Sequence, residues 1–191
     1  MKHYNVRDRL IDGTIKVIAR DGLDKATTKA ITKETALYET YIYQYFSGKD
    51  GLFAEAFEKL DEELLYVSLK NLQLFSDMQV SFRQRAKTYF DEIWKFMLGN
   101  KEKCIAFIRY YYSPYFNKFS AQKHTQRYEP LVEKISIIFK NEANVWMLLS
   151  YMLSTALMFA ITVIDGALED NEDTREHVFR VIYNAVNTYF D

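Results

Sequence analysis

Only six glycines and two prolines punctuate the 191 residues, too few for the tight turns that an all-β sandwich or barrel of this length requires. Long helices joined by few corners are therefore expected, and the fold class is all-α. Material for a core is plentiful, since 49% of the residues are hydrophobic and 16% aromatic against 27% charged, which excludes disorder and collagen-like repeats. The 25 basic and 26 acidic side chains leave a formal charge of −1, so no global positive field announces a nucleic-acid partner. Such a partner has to be met by a local patch. The first fifty residues hold nine Lys or Arg against seven Asp or Glu, which places the positive end at the N-terminus.

The twenty residues from Val145 to Ile164 carry no charge and are long enough to cross a hydrocarbon layer. A membrane span is nevertheless rejected. The run holds Ser150, Tyr151, Ser154, Thr155 and Thr162, it stands alone, and it ends against Asp165, Glu169 and Asp170 rather than a basic flank. A helix apolar all round in a soluble chain is buried on every side, and in a protein this small that calls for a second subunit. Cys104, the single cysteine, lies in an apolar stretch and reads as a buried small hydrophobe. With no signal-peptide pattern between Met1 and Arg9, a reducing cytoplasm is the expected compartment.

Helical periodicity divides the chain into about nine segments. The first runs from about Asn5, as N-cap, to Arg20, and Asp21-Gly22 stops it. Thr27 caps a short second helix that carries Ile31 inward, and after the Ala36-Leu37 corner a third runs from about Tyr38 to Tyr45. Ser47-Gly48-Lys49-Asp50 reads as a capping box opening a long fourth helix to about Phe75, the natural lever between the two ends of the chain. Further helices are expected at about 82–97, from 102 to a break at Ser113-Pro114, at 120–140, over the uncharged run, and from a Thr174 cap to the C-terminus.

Two short helices joined by a tight corner and held by a helix before and after have the form of a helix-turn-helix reader of duplex DNA. The segment from Asp12 to Leu52, with Gly22, Thr27, Ile31, Ala36, Ile42-Tyr43, Phe46, Ser47, Lys49 and Leu52 in register, resembles the N-terminal domain of the tetracycline-repressor (TetR) family of transcriptional regulators. The run from Ile42 to Leu52 is most similar, matching that family's Leu-Tyr-His-His-Phe, Ser-Lys, Leu pattern. The resemblance implies a helix-turn-helix DNA-binding domain over residues 1–48, followed by a helical effector-binding and dimerisation domain over 49–191. Its function would be that of a DNA-binding transcriptional regulator, a ligand-responsive repressor binding a near-palindromic operator as a homodimer.

The residues themselves support a reading helix, because Leu37, Ile42 and Phe46 fall on the scaffold side and the polar groups on the other. Thr40, Tyr41 and Gln44 are the candidates for base edges. Thr27, Thr28, Lys29, Tyr43, Tyr45 and Lys49 are the candidates for phosphates, which hydroxyls, positive charge and free N–H groups at helix starts attract. Three positions depart from the family pattern: Ala36 stands at the corner glycine, Tyr38 at the usual Ser or Thr cap, and Glu39 brings a negative charge to the DNA side. A left-handed backbone at Ala36 would cost roughly 1 kcal/mol. Glu39 either favours the helix dipole or accepts from a cytosine, or else opposes nonspecific binding.

In the C-terminal part, Tyr89, Trp94, Phe107, Arg109, Tyr110, Tyr111, Phe116 and Trp146 are candidates for an effector pocket, since tyrosine hydroxyls and a guanidinium would orient an apolar or aromatic small molecule. The uncharged helix and the last helix, Arg175 to Phe190, are expected to pack against their symmetry mates. No enzyme is expected. His3, His124 and His177 make no metal-ligand spacing, the residues three before His124 and His177 are Ala121 and Thr174 rather than Glu, and no phosphate loop or dinucleotide fingerprint exists. Neither metal nor cofactor is called for. The competing reading is a helical small-molecule-binding or interaction protein on the same scaffold that lacks specific DNA binding.

Overall fold

The structure is a computed structural model that describes residues 6–140 and 142–190. Among the described residues it has ten α-helices: α1 (Val6–Asp21), α2 (Thr28–Thr35), α3 (Thr40–Tyr45), α4 (Gly48–Asn71), α5 (Phe82–Gly99), α6 (Lys101–Tyr111), α7 (Pro114–Phe119), α8 (Ala121–Ser136), α9 (Val145–Ile164) and α10 (Glu172–Val186). Short 3-10 turns follow α4 and α10. The only extended pairing among these residues is an isolated bridge between Phe139 and Phe190. The expected N-cap Asn5 lies outside the described residues.

The helix boundaries follow local chemistry. Gly22, at φ 84°, takes the left-handed turn that ends α1. The Thr27 side chain accepts from the Ala30 N–H and caps α2, as the sequence predicts. The helix beyond the nine expected is α7. The Ser113-Pro114 break does not simply end α6; it starts a new helix, because proline at the first helical position lacks only an N–H that has no partner there. The cap of α10 is Asn171, which accepts from Thr174 N–H, so the expected Thr174 cap is already inside the helix.

By contact the chain falls into two compact units, residues 1–63 with 102–126, and residues 64–101 with 127–191. This grouping differs from the sequence expectation of a boundary after residue 48. The first unit is a helical head whose core takes Leu10, Ile15 and Val17 from α1, Ile31 from α2, Ile42 from α3, and Leu52 and Phe53 from α4. A Cβ on Gly13 would lie 2.1 Å from Thr35 Cγ2, so the glycine lets α1 and α2 approach. Residues 102–126 join this head through Phe57, whose ring stacks on Tyr110 at 4.8 Å and meets Phe107 and Phe116. Arg109 donates to the Ile18 and Ala19 carbonyls at 2.8 and 3.0 Å in the last turn of α1, where the Ile18 carbonyl also accepts from the Gly22 N–H. Asp61, wholly buried, bonds His124 Nδ1 at 2.9 Å.

The second unit packs α5, α8, α9 and α10 around a core that includes Leu65, Tyr128, Leu131, Leu149 and Val186. Helix α9 is long and apolar enough to cross a membrane by length and composition, with a third of its most apolar window buried. Within this chain it is not covered all round. Leu148, Ala156, Leu157, Ala160 and Val163 face the core, whereas Met147, Tyr151 and Met158 are exposed.

Candidate nucleic-acid interface

Helix α2 ends because Ala36 adopts φ 50°, ψ 44°, and its own N–H turns back to Lys33 O. Leu37 N–H bonds Thr32 O at 3.1 Å. These two bonds form the Schellman closure that ordinarily uses glycine. They set the corner after which Tyr38 and Glu39 make one turn before α3 begins at Thr40, two residues later than the sequence suggests. Glu39 forms no side-chain cap.

Helix α3 is anchored on one side only. Ile42 is completely buried and Phe46 nearly so, and one turn of helix puts Thr40 and Gln44, four residues apart, on the ridge opposite Ile42. Both are exposed. Tyr43, 64% exposed, flanks this ridge beside Gly48. On the other flank Tyr38, Tyr41 and Tyr45 form a ladder with ring centroids 6.4 Å apart at each step. Tyr38, 77% exposed, extends that ladder and was not among the sequence candidates. Its spacing of three from Tyr41 was the available signal.

The phosphate candidates lie on the starts of α2 and α4 and on α3 itself. Thr27 and Lys29 are exposed and Thr28 is half-buried. Thr27 accepts its cap bond through Oγ1, which leaves the hydroxyl hydrogen for an anion. Lys49 is half-buried, its Nζ lying 5.2 Å from the Phe53 ring centre and 5.9 Å from that of Tyr115. Other basic groups of the head are engaged elsewhere: Arg7 pairs with Glu55, Lys59 with Asp12, and Arg9 donates to Thr35 O. Arg20 bridges Asp21 and Glu34, which raises its already high pKa and lowers that of Asp21.

The effector candidates do not surround one space. Arg109 caps α1, and Phe107, Tyr110, Tyr111 and Phe116 pack with the head around Phe57 and His124. Trp94 stacks on Phe90 at 5.6 Å, and Trp146 meets Tyr128 edge-on. Only Tyr89 lines the cavity of about 100 Å³ inside the second unit, together with residues that include Phe75, Phe90, Met152, Leu153 and Tyr183. The Tyr89 phenol is bonded to Ser68 and is pushed up to about 12 by burial. Sequence reasoning could not find this lining, because it is drawn from distant segments between Leu72 and Phe190.

An exposed polar ridge on a short helix, with its back face buried and helix starts on either side, defines a helix-turn-helix head of the class that reads duplex DNA. Residues 10–56 match the family model described as bacterial regulatory proteins, tetR family. The chain thus carries a tetR-family N-terminal domain over residues 10–56, and its fold as a whole is similar to that of TetR family transcription regulators. A comparison with curated proteins found no match. Among solved structures, a TetR family transcription regulator from Marinobacter aquaeolei VT8 superposes with a TM-score of 0.74 at 17% identity, covering 94% of each chain. One from Haemophilus influenzae RD gives 0.69 at 19% identity, again over 94% of each chain. The transcriptional regulator FadR from Bacillus subtilis, in complex with stearoyl-CoA, gives 0.64 at 14% identity over 91% of this chain and 96% of that one. At these identities the likeness concerns the fold.

Proposed function

We propose that the chain is a cytoplasmic, ligand-responsive repressor that binds a near-palindromic operator as a homodimer. The observation that carries this reading is the exposed Thr40–Gln44 ridge backed by buried Ile42. Thr40, Tyr41 and Gln44 meet base edges, while Thr27, Thr28, Lys29, Tyr43, Tyr45 and Lys49 meet the backbone. The dimer is supported by the uncovered apolar stripe of Met147, Tyr151 and Met158 on α9 and by exposed Val181 on α10. A second copy buries that stripe and brings two reading helices to successive major grooves about 34 Å apart.

The effector occupies the cavity of the second unit, whose almost wholly apolar wall suits an uncharged apolar body. The Bacillus subtilis FadR complex supports this, as a similar fold holding a long-chain acyl ligand. Ligand binding lowers operator affinity by its preference for a conformer with wrongly spaced heads. The competing reading, a ligand-binding scaffold without specific DNA binding, is favoured only by the Glu39 carboxylate at the start of α3. Retention of genomic fragments across a salt series decides between them. Counterion release predicts affinity falling steeply with salt, and absence of association at low salt refutes the repressor. Sedimentation at micromolar concentration checks the dimer, which a monomer would refute.

A further inference from the structure

Between Lys33 and Lys49 the chain carries no lysine or arginine, and the reading helix lies in the middle of that gap. Its outward groups are the Thr40 hydroxyl and methyl, the Gln44 carboxamide, four tyrosine rings and, just before α3, the Glu39 carboxylate. This inventory constrains which base edges it can recognise. The strong contact to guanine is bidentate donation to O6 and N7 by Arg or Lys, and nothing on this helix can make it. A carboxylate there is an acceptor facing two further acceptors. A glutamine carboxamide instead carries one donor and one acceptor, matching N7 and N6 of adenine. The thymine methyl group is met by apolar surface, which the Thr40 methyl and the Tyr38–Tyr41–Tyr45 ladder provide along one flank. Glu39, an acceptor, suits a base amino group, most commonly that of cytosine.

We propose that α3 reads A·T pairs, with Gln44 on adenine and Thr40 with the tyrosine ladder on thymine methyls, and that guanine is not read directly in the half-site. The proposal rests on the DNA-reading function above and specifies its chemistry.

The test begins with fragments selected by the full chain from random duplex DNA. In the selected site, thymine is then replaced by uracil, adenine by 7-deazaadenine and guanine by 7-deazaguanine, each throughout. Loss of a contacted methyl weakens binding about 3- to 5-fold per thymine. Loss of the adenine N7 leaves a Gln44 donor unpaired and weakens binding roughly 5- to 150-fold. The 7-deazaguanine site keeps its affinity to within about twofold, since no bidentate contact is lost. Gln44→Arg, on an exposed position, shifts the preferred base at its place from adenine to guanine. A tenfold or so loss with 7-deazaguanine, no cost from either of the other replacements, or an unchanged Gln44→Arg consensus overturns the proposal. Salt-sensitive binding without any consensus overturns it while sparing DNA binding itself. No association at about 50 mM salt overturns both.

Discussion

The corner between the two helices of the reading motif holds an alanine in a conformation that favours glycine, and this permits a test in which one substitution has opposite signs at two nearby positions. Ala36 lies at φ 50°, ψ 44°, where an L side chain costs about 1–2 kcal/mol. Ala36 is exposed, so removing its methyl group forfeits little burial. Glycine there relieves the strain but frees the unfolded chain, which returns about 0.4–1 kcal/mol. The net expectation for Ala36→Gly is a gain of about 0.5–1 kcal/mol. Six residues earlier, Ala30 sits in the first turn of α2, and Ala30→Gly should cost about 1 kcal/mol for the same lost methyl. The two variants should therefore differ by about 1.5–2 kcal/mol. That is roughly 3–8 °C in the melting temperature of a chain of this length, read by far-ultraviolet circular dichroism of the full protein. Ala36→Val, which is β-branched, should melt below the parent. If Ala36→Gly melts lower than the parent by as much as Ala30→Gly does, the strained corner is not there and the argument fails.

Removing Arg109, which donates to the carbonyls of Ile18 and Ala19, should destabilise the head by about 1–2 kcal/mol, as expected for partly exposed charged hydrogen bonds at a helix C-terminus. An Arg109→Ala protein that melts with the parent would contradict that role. Lys49→Ala should reduce the steepness of the salt dependence of operator binding by about 1.8 for two copies in a dimer; an unchanged slope would mean that Lys49 stays over Phe53 and Tyr115 in the complex. Burial pushes the Cys104 thiol from an ordinary value near 9 up to about 12, so the native protein should resist thiol reagents that label it when unfolded. Because the folded form holds this proton more tightly, and Tyr89 behaves likewise, the contribution of these two groups to stability should be full below about pH 9 and fall as pH rises toward 12. Urea midpoints flat through that range would be inconsistent with both buried groups.

The reading head is the part most legible in the sequence, because its signals are local. Thr27 precedes the apolar Ile31 by one helical turn and caps α2 as predicted, and Ile42 on its six-residue helix turns inward because it is the one aliphatic residue among polar and tyrosyl neighbours. The same logic fails where the partner is distant. Tyr110 and Phe116 are spaced like members of an aromatic pocket, yet they pack on Phe57, more than forty residues away in the chain. Arg109 has a pocket-like setting in sequence and instead donates to the Ala19 carbonyl, ninety residues earlier in the chain. Periodicity tells which face of a helix is buried and not what buries it. The cavity was illegible for the same reason, since only Tyr89 of its lining stood out among the sequence candidates.

The uncharged sequence of α9 is where composition and structure constrain the assembly together. A helix crossing a bilayer as a lone span would meet lipid around its whole circumference. This one buries Leu148, Ala156, Leu157, Ala160 and Val163 within its own unit, is capped by Asn144 at its start, and ends at Asp165. What remains open is a stripe, with Met147, Tyr151 and Met158 four and seven residues apart and Ser154 between them. A stripe of that width is the face a helix offers to another helix. The small Ser154 admits close approach at its middle, and fully burying each methionine is worth about 1.5–3 kcal/mol. The absence of charge, which sequence alone reads as complete burial, then has two different coverings: the protein's own core on one side and, in the proposed homodimer, the same surface of a second copy on the other.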